Sequence, residues 1–226
     1  MIINNIRKLF YDLLITEDFV IDKSGVKTVE ILNANFLANE ESIFGKVNYD
    51  YIKKEIDWYL SQSLSINDMN KPIPKIWKAV ADLDGYINSN YGWCIFSEKN
   101  GNQYKHVVEK LLDNPDTRQA VMIYNRPNMH TLAGKDFMCT NTVQYFIRNN
   151  KLHAVVNMRS NDAIFGYKND RAWQQFIHRK LLSDLNIEKM YRYSEGDIHW
   201  NVGSLHIYET HFELIKDWWK VGNRIS

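Results

Sequence analysis

Apolar positions along the chain recur with helical spacing in some stretches and with strand spacing in others. Near the start, Ile6, Leu9, Phe10, Leu13 and Leu14 of NNIRKLFYDLL fall three and four residues apart, which predicts a helix. FVIDKSGVKTVEILNANF reads as two strands about an Asp-Lys-Ser-Gly turn. In DYIKKEIDWYLSQS, Ile52, Ile56 and Tyr59 return to helical spacing, and Glu55 lies within their apolar arc. GNQYKHVVEKLLDNPDTR predicts a helix ended by Asn-Pro, with the apolar strand AVMIY after it. FMCTNTVQYFI and LHAVVNMRS are rich in β-branched and aromatic residues and joined by a polar RNNK turn, so they should pair antiparallel. NDRAWQQFIHRKLLSDL predicts another helix, with Trp173, Phe176, Ile177, Lys180 and Leu181 on successive turns and Asp170 at its start. GSLHIYETHFELIKDWW runs from a strand into a last helix, and the sum is an α+β chain with a mostly antiparallel or mixed sheet.

Composition narrows the class. With 226 residues, 45% of them apolar, the chain suits one domain, spanning 1–226, with a substantial core. A net charge of +1 without long runs of one sign argues against a polymeric nucleic-acid partner. No stretch approaches the roughly 20 apolar residues of a membrane span, and MIINNIRKLFYDLL lacks a signal-peptide core, so a cytoplasmic protein without membrane attachment is expected. The two cysteines, Cys94 and Cys139, are then free thiols. CxxC, HExxH, Walker and GxGxxG motifs are absent, and no metal is expected.

Several residues could carry chemistry. Cys139 is either a small packing residue of its strand or a nucleophile. A tight turn at Asn149 and Asn150 places it opposite the neighbourhood of Arg159 and Ser160, although a bulge would change which side chain shares its face. A guanidinium near the thiol should favour the reactive thiolate. Cys94, in NYGWCIF, has no such neighbour and reads as structural. Glu55 either tilts to solvent or is a buried carboxyl with a raised pKa that moves protons. His206 and Tyr208 alternate along one strand and share a face, while Lys23, Arg118, Arg159 and Ser160 can hold an anion.

Taken together, SNYGW, DFMCTNTVQY, NMRSNDAIFGYKND and GSLHIY resemble the thymidylate synthase superfamily, most closely its bacteriophage deoxycytidylate hydroxymethylases, from about Phe19 to about Trp219. The resemblance implies a homodimer with a large kinked mixed sheet at the subunit interface, acting on a pyrimidine nucleoside monophosphate and 5,10-methylenetetrahydrofolate. Cys139 adds to C6 of the ring, which makes C5 nucleophilic toward the one-carbon unit. In the hydroxymethylase branch water completes the transfer and tetrahydrofolate leaves. By the same resemblance, Arg159, Ser160 and Lys23 hold the phosphate, and Arg118 joins them from the other subunit. His206 and Tyr208 take the sugar 3′-hydroxyl, Glu55 organises water and proton transfer, and Tyr91 stands near the reacting carbon. Asp162 and Trp77 hold the folate, with Gly166 in the turn beneath it.

The departures carry information too. Gln119 stands where the family has a second arginine, and Met158 and Thr140 replace a Gln and a His usual in thymidylate synthases, which favours the hydroxymethylase branch. The short stretch after Trp219 leaves room for a shorter C-terminal lid, which would admit water. At Asp170 thymidylate synthases carry Asn. A carboxylate cannot donate to O4 of uracil but accepts from the exocyclic amine of cytosine. Asp170 is thus either a helix cap or the reader of the base, and the expected substrate is dCMP. Its product would feed synthesis of modified DNA in an infected bacterium. The same chemistry on dUMP or CMP, a thymidylate synthase, and a non-catalytic nucleotide- or folate-binding relative are the alternatives.

Overall fold

The computed structural model describes residues 1–21, 25–130, 135–188 and 192–222. Helix α1 (Ile3–Ile15) buries Ile3, Ile6, Phe10 and Leu14, while Leu9 stays at the surface. Strands β1 (Val20–Ile21) and β2 (Lys27–Leu37) pair antiparallel as expected. Helix α2 (Tyr49–Ser61) follows, capped by the Asn48 side chain, which accepts the Tyr51 N–H at 3.0 Å. Helices α3 (Lys75–Val80) and α4 (Tyr91–Phe96) were not legible, because six residues are too few to display a period. After α5 (Gln103–Asp113) and β3 (Val121–Ile123) come β4 (Thr140–Arg148) and β5 (Lys151–Asp162). The two residues joining β4 to β5, Asn149 and Asn150, have φ of 52° and 59°, the left-handed pair that a tight hairpin needs. The chain ends with α6 (Gly166–Glu188), β6 (Ser194–Tyr208) and α7 (Phe212–Gly222).

The six described strands form one mixed sheet in the order β1-β2-β6-β5-β4-β3. Only β5 and β6 run parallel, with α6 as their crossover. One face of the sheet is core, carrying Tyr145, Val156, Trp200 and Ile207, with α1 and α6 packed near it. The other face is more polar. There a row of side chains is linked across four strands: Asn35 Nδ2 donates to Asn201 Oδ1 (2.6 Å), Asn201 Nδ2 to Asn157 Oδ1 (3.1 Å), and Asn157 Nδ2 to Thr142 Oγ1 (3.2 Å).

The alternation of buried and outward residues breaks at nearly one level in all four of these strands. The buried parity passes from Met158 to Asn161 on β5, from Val202 to Leu205 on β6, from Val29 to Ala34 on β2 and from Thr140 to Val143 on β4. A strand that keeps a strict period of two cannot do this, so each carries an extra residue at the break. Asn33 takes it up with a φ of 53°. Gly203 takes it up by close approach, since a Cβ there would stand 2.7 Å from the Arg159 carbonyl oxygen. Of the candidate site residues, Arg159 and Ser160 lie at this line and Cys139, Asp162 and His206 stand close to it in the sheet. No described helix is long and apolar enough to cross a membrane.

Candidate active site

Cys139 precedes β4, and Arg159 lies opposite it on β5. The Arg159 N–H donates to the Cys139 carbonyl at 2.9 Å. Its guanidinium turns back over the same turn, donating to the Met138 carbonyl (2.9 Å) and the Phe137 carbonyl (2.8 Å), with Nη2 3.6 Å from Cys139 Sγ. The break in the β4–β5 register between Thr140 and Thr142 therefore leaves thiol and guanidinium together, which the spacing alone had left open. Arg159 favours the thiolate, as expected, but it is outweighed. Burial first, and then the negative charge of Asp170, push the Cys139 thiol up to about 11 against the opposing pull of Arg159.

Asp170 is not a helix cap. Helix α6 begins at Gly166, which puts Asp170 in its second turn. The sequence hid this because the apolar repeat becomes visible only at Trp173. The capping falls to Asp162, whose Oδ1 accepts the Ile164 N–H (3.0 Å) and whose Oδ2 accepts those of Phe165 (3.0 Å) and Gly166 (3.4 Å). Asp170 Oδ2 instead accepts from Asn161 Nδ2 at 2.7 Å, and the Tyr91 hydroxyl also hydrogen-bonds this carboxyl. Burial raises Asp170 to about 7, with Tyr91 and Asn161 holding it down.

Tyr91 opens α4, which Asn90 caps by accepting the Trp93 N–H at 2.8 Å. Gly92 permits this placement, since any Cβ would stand 1.8 Å from the Tyr59 carbonyl oxygen. The Tyr91 ring stacks on Tyr59 with centroids 5.1 Å apart, and its oxygen accepts from Thr140 Oγ1 at 3.0 Å. Burial raises the phenol, with the charges of Asp170 and Cys139 adding to it, so Tyr91 stands within reach of both.

Glu55 is buried on α2, which removes the solvent-tilted alternative. Its Oε1 accepts from the Tyr51 hydroxyl (2.9 Å) and from Trp77 Nε1 (3.3 Å). Burial lifts it to about 8, opposed by the Tyr51 and Trp77 donors and reinforced by the charge of Asp170. A carboxyl raised in the folded state keeps its stability contribution below its ordinary value of 4.5 and loses it as pH rises through about 8. Glu55→Gln should therefore stabilise the protein at pH 9 relative to pH 5, by roughly 4 kcal/mol. Thermal melts at the two pH values check this, and equal shifts at both would refute it.

The parallel β5–β6 register brings the remaining residues alongside. Ser160 pairs with Ser204, and Asp162 with His206. The His206 and Tyr208 rings lie 5.1 Å apart, as their alternation predicts, and Ser204 Oγ is 3.4 Å from His206 Nδ1. Gly166 is needed for space rather than for its φ, because a Cβ would stand 3.0 Å from Asn161 Nδ2. Lys23 lies outside the described residues. Arg118 is not brought to this cluster. Its carbonyl accepts from Gln144, five residues along the chain from Cys139 and so roughly 16 Å away at strand rise. Two participants went unnoticed in the sequence. Tyr51 had a signal, its spacing of four residues from Glu55 on one helix face. Asn161 had none, since an Asn beside a turn looks like a turn residue.

Among the described residues, His153, Asp197 and His199 on the polar face of the sheet have potential ligand atoms within 4.8 Å of one another. His153 Nδ1 already accepts the Asp197 N–H at 3.0 Å, so a cation bound through Nε2 would need a ring without either proton.

The thymidylate synthase family profile matches residues 19–221. The deoxycytidylate 5-hydroxymethyltransferase of Enterobacteria phage T4 is 54% identical over 211 residues, covering 91% of this chain and 86% of that protein. The phage T2 enzyme of the same name is 53% identical with the same coverage. Among solved structures, thermostable thymidylate synthase A from Bacillus subtilis superimposes with a TM-score of 0.68 at 21% identity, over 96% of this chain and 83% of that one.

Proposed function

As a member of the thymidylate synthase family, this chain is, we propose, a folate-dependent deoxycytidylate 5-hydroxymethyltransferase. It converts dCMP, 5,10-methylenetetrahydrofolate and water to 5-hydroxymethyl-dCMP and tetrahydrofolate. The observation that carries the choice of base is a carboxyl, Asp170, buried in the cluster with Cys139 and hydrogen-bonded by Asn161 and Tyr91, where burial favours a bound proton. Cytosine presents a donor at its C4 amine and an acceptor at N3, so it is matched by a carboxyl that bears one proton. A neutral Asp170 no longer opposes ionisation of Cys139, which removes one of the causes holding the thiol up. Proton uptake by Asp170 thus serves recognition of the base and activation of the nucleophile together.

Cys139 Sγ then adds to C6 while N3 takes up the proton that Asp170 offers and the thiol proton passes to the vacated Asp170 carboxylate, so that C5 gains the nucleophilicity it lacks in the aromatic ring. Glu55, protonated at neutral pH and beside the Asp170 charge, moves protons and orders the water that the product requires. Tyr91, fixed by Thr140, orients Asp170 next to the reacting carbon. Arg159 and Ser160 hold the phosphate, with Lys23, and His206 and Tyr208 the sugar hydroxyl. Arg118, apart from this cluster in one chain, is supplied by a second copy in a homodimer.

Methylenetetrahydrofolate supplies the one-carbon unit. The residues fit its pterin: of about four lone-pair sites on the Asp162 carboxylate, three meet backbone N–H groups and one stays available to a ring N–H. The Trp77 ring, tethered to Glu55, offers a flat wall, and Gly166 keeps the turn below narrow. Mass spectrometry of the products formed from dCMP, CMP and dUMP with this folate tests the assignment. A gain of one hydroxymethyl group on dCMP, well ahead of the other two, is expected. Thymidylate from dUMP, or no product from any of the three, would overturn it.

A further inference from the structure

Asn161 is 3% exposed on β5, between the phosphate and folate residues, and has no part in the steps above. Its amide is engaged at both ends. Trp200 Nε1 donates to Asn161 Oδ1 at 3.3 Å, and Asn161 Nδ2 donates to Asp170 Oδ2 at 2.7 Å. An indole N–H can only donate, so it holds Oδ1 toward itself and turns the NH2 group toward Asp170. Trp200 is fully buried and packs edge-on against Tyr167, with centroids 5.5 Å apart. Gly166 supplies the room, since a side chain there would press on the Asn161 amide.

A carboxyl carrying one proton is ambidextrous. With the proton on one oxygen it matches the N3 and amine of cytosine, and with the proton on the other it matches the N3–H and O4 of uracil. The neighbours of the carboxyl decide between the two. We propose that Asn161 is the positioning residue that breaks this symmetry: it holds Asp170 Oδ2 as an acceptor, so the proton resides on Oδ1 and cytosine binds with its amine toward Oδ2 and N3 toward Oδ1. Uracil then meets a donor at N3–H and an acceptor at O4, the wrong group at each position. The inference rests on the cytosine assignment and adds the device that makes Asp170 discriminate.

Trp200→Phe keeps the ring and frees the Asn161 amide to turn, and Asn161→Leu removes the donor at similar volume. In both, the ratio of kcat/KM for dCMP over dUMP should fall roughly tenfold. The pH dependence of kcat/KM on dCMP should move to higher pH in Asn161→Leu, because a donor to the charged carboxylate is lost. Tyr51, Glu55 and Tyr59 on α2, Tyr91 on α4, Cys139 before β4 and Asp162 on β5 also face Asp170 and are unchanged in both variants. An unchanged base ratio and pH profile in the two variants, whatever their overall rates, would sink the inference. Trp200→Phe decides the matter alone if Asn161→Leu does not fold. A wild-type chain that makes no hydroxymethyl product from dCMP would instead overturn the assigned activity.

Discussion

Cys139→Ala is expected to lower kcat on dCMP by roughly ten-thousandfold or more while leaving dCMP binding within a few-fold of wild type. The loss is large because C5 of an aromatic pyrimidine stays unreactive until C6 is saturated, and no other described thiol stands beside Arg159. Binding persists because the Arg159 guanidinium is held by the Phe137 and Met138 carbonyls, neither of which the substitution touches. Product formation measures the first quantity and titration calorimetry with dCMP the second. Cys94→Ala is the control. That thiol is fully buried and raised to about 12, mainly by burial, so its loss should leave turnover intact. Residual activity of Cys139→Ala near that of Cys94→Ala would remove covalent catalysis from the account.

Asp170→Asn should depress kcat/KM on dCMP at least a hundredfold and raise turnover of dUMP. An amide carries no proton that it can give to N3, so C6 of cytosine loses its activation. Uracil gains a donor for O4 only when the new NH2 group lies on the side where Asn161 now presents its own. Asn161 must then turn its amide and surrender the 3.3 Å contact with Trp200. The gain on dUMP should therefore be partial in Asp170→Asn and several-fold larger when Trp200→Phe is added. A second readout is independent of turnover. Without the Asp170 charge the Cys139 thiol ionises more readily, so its alkylation should begin at lower pH than in wild type. Retention of the wild-type base preference in Asp170→Asn would contradict the role given to this carboxylate.

Much of this was legible in the residue pattern, for reasons that differ from place to place. The β4–β5 hairpin could be read because alternation runs unbroken up to two asparagines that tolerate left-handed backbone. Glu55 stood out because a carboxylate on an apolar arc must be buried or must escape, and here it is buried. The first residues of β6 could not be read, since Ser194 to Asp197 are polar and mostly exposed and are held as strand by pairing with β5 alone. The start of α6 was misplaced because its first turn, Gly-Tyr-Lys-Asn, has the composition of a loop, while the Asp162 carboxylate on the preceding strand holds the N–H groups that lead into it. The balance at Cys139 was only half legible for a related reason: Arg159, its strand neighbour, pulls toward the thiolate as expected, whereas burial and the charge of Asp170 reach the thiol only through the fold.

The break in alternation across β2, β6, β5 and β4 also limits how such a chain can change. Deleting the extra residue from one strand would turn every side chain beyond that point to the opposite face, exchanging core for surface over half its length. Asn33, Gly203, the Arg159–Ser160 step and Asn141 are therefore tied to one another as a single inherited unit. Point substitutions can retune the base or the proton, while insertions and deletions in these strands must arrive four at a time, so new specificities should arise in the side chains of this crease and new lengths only in the loops around it.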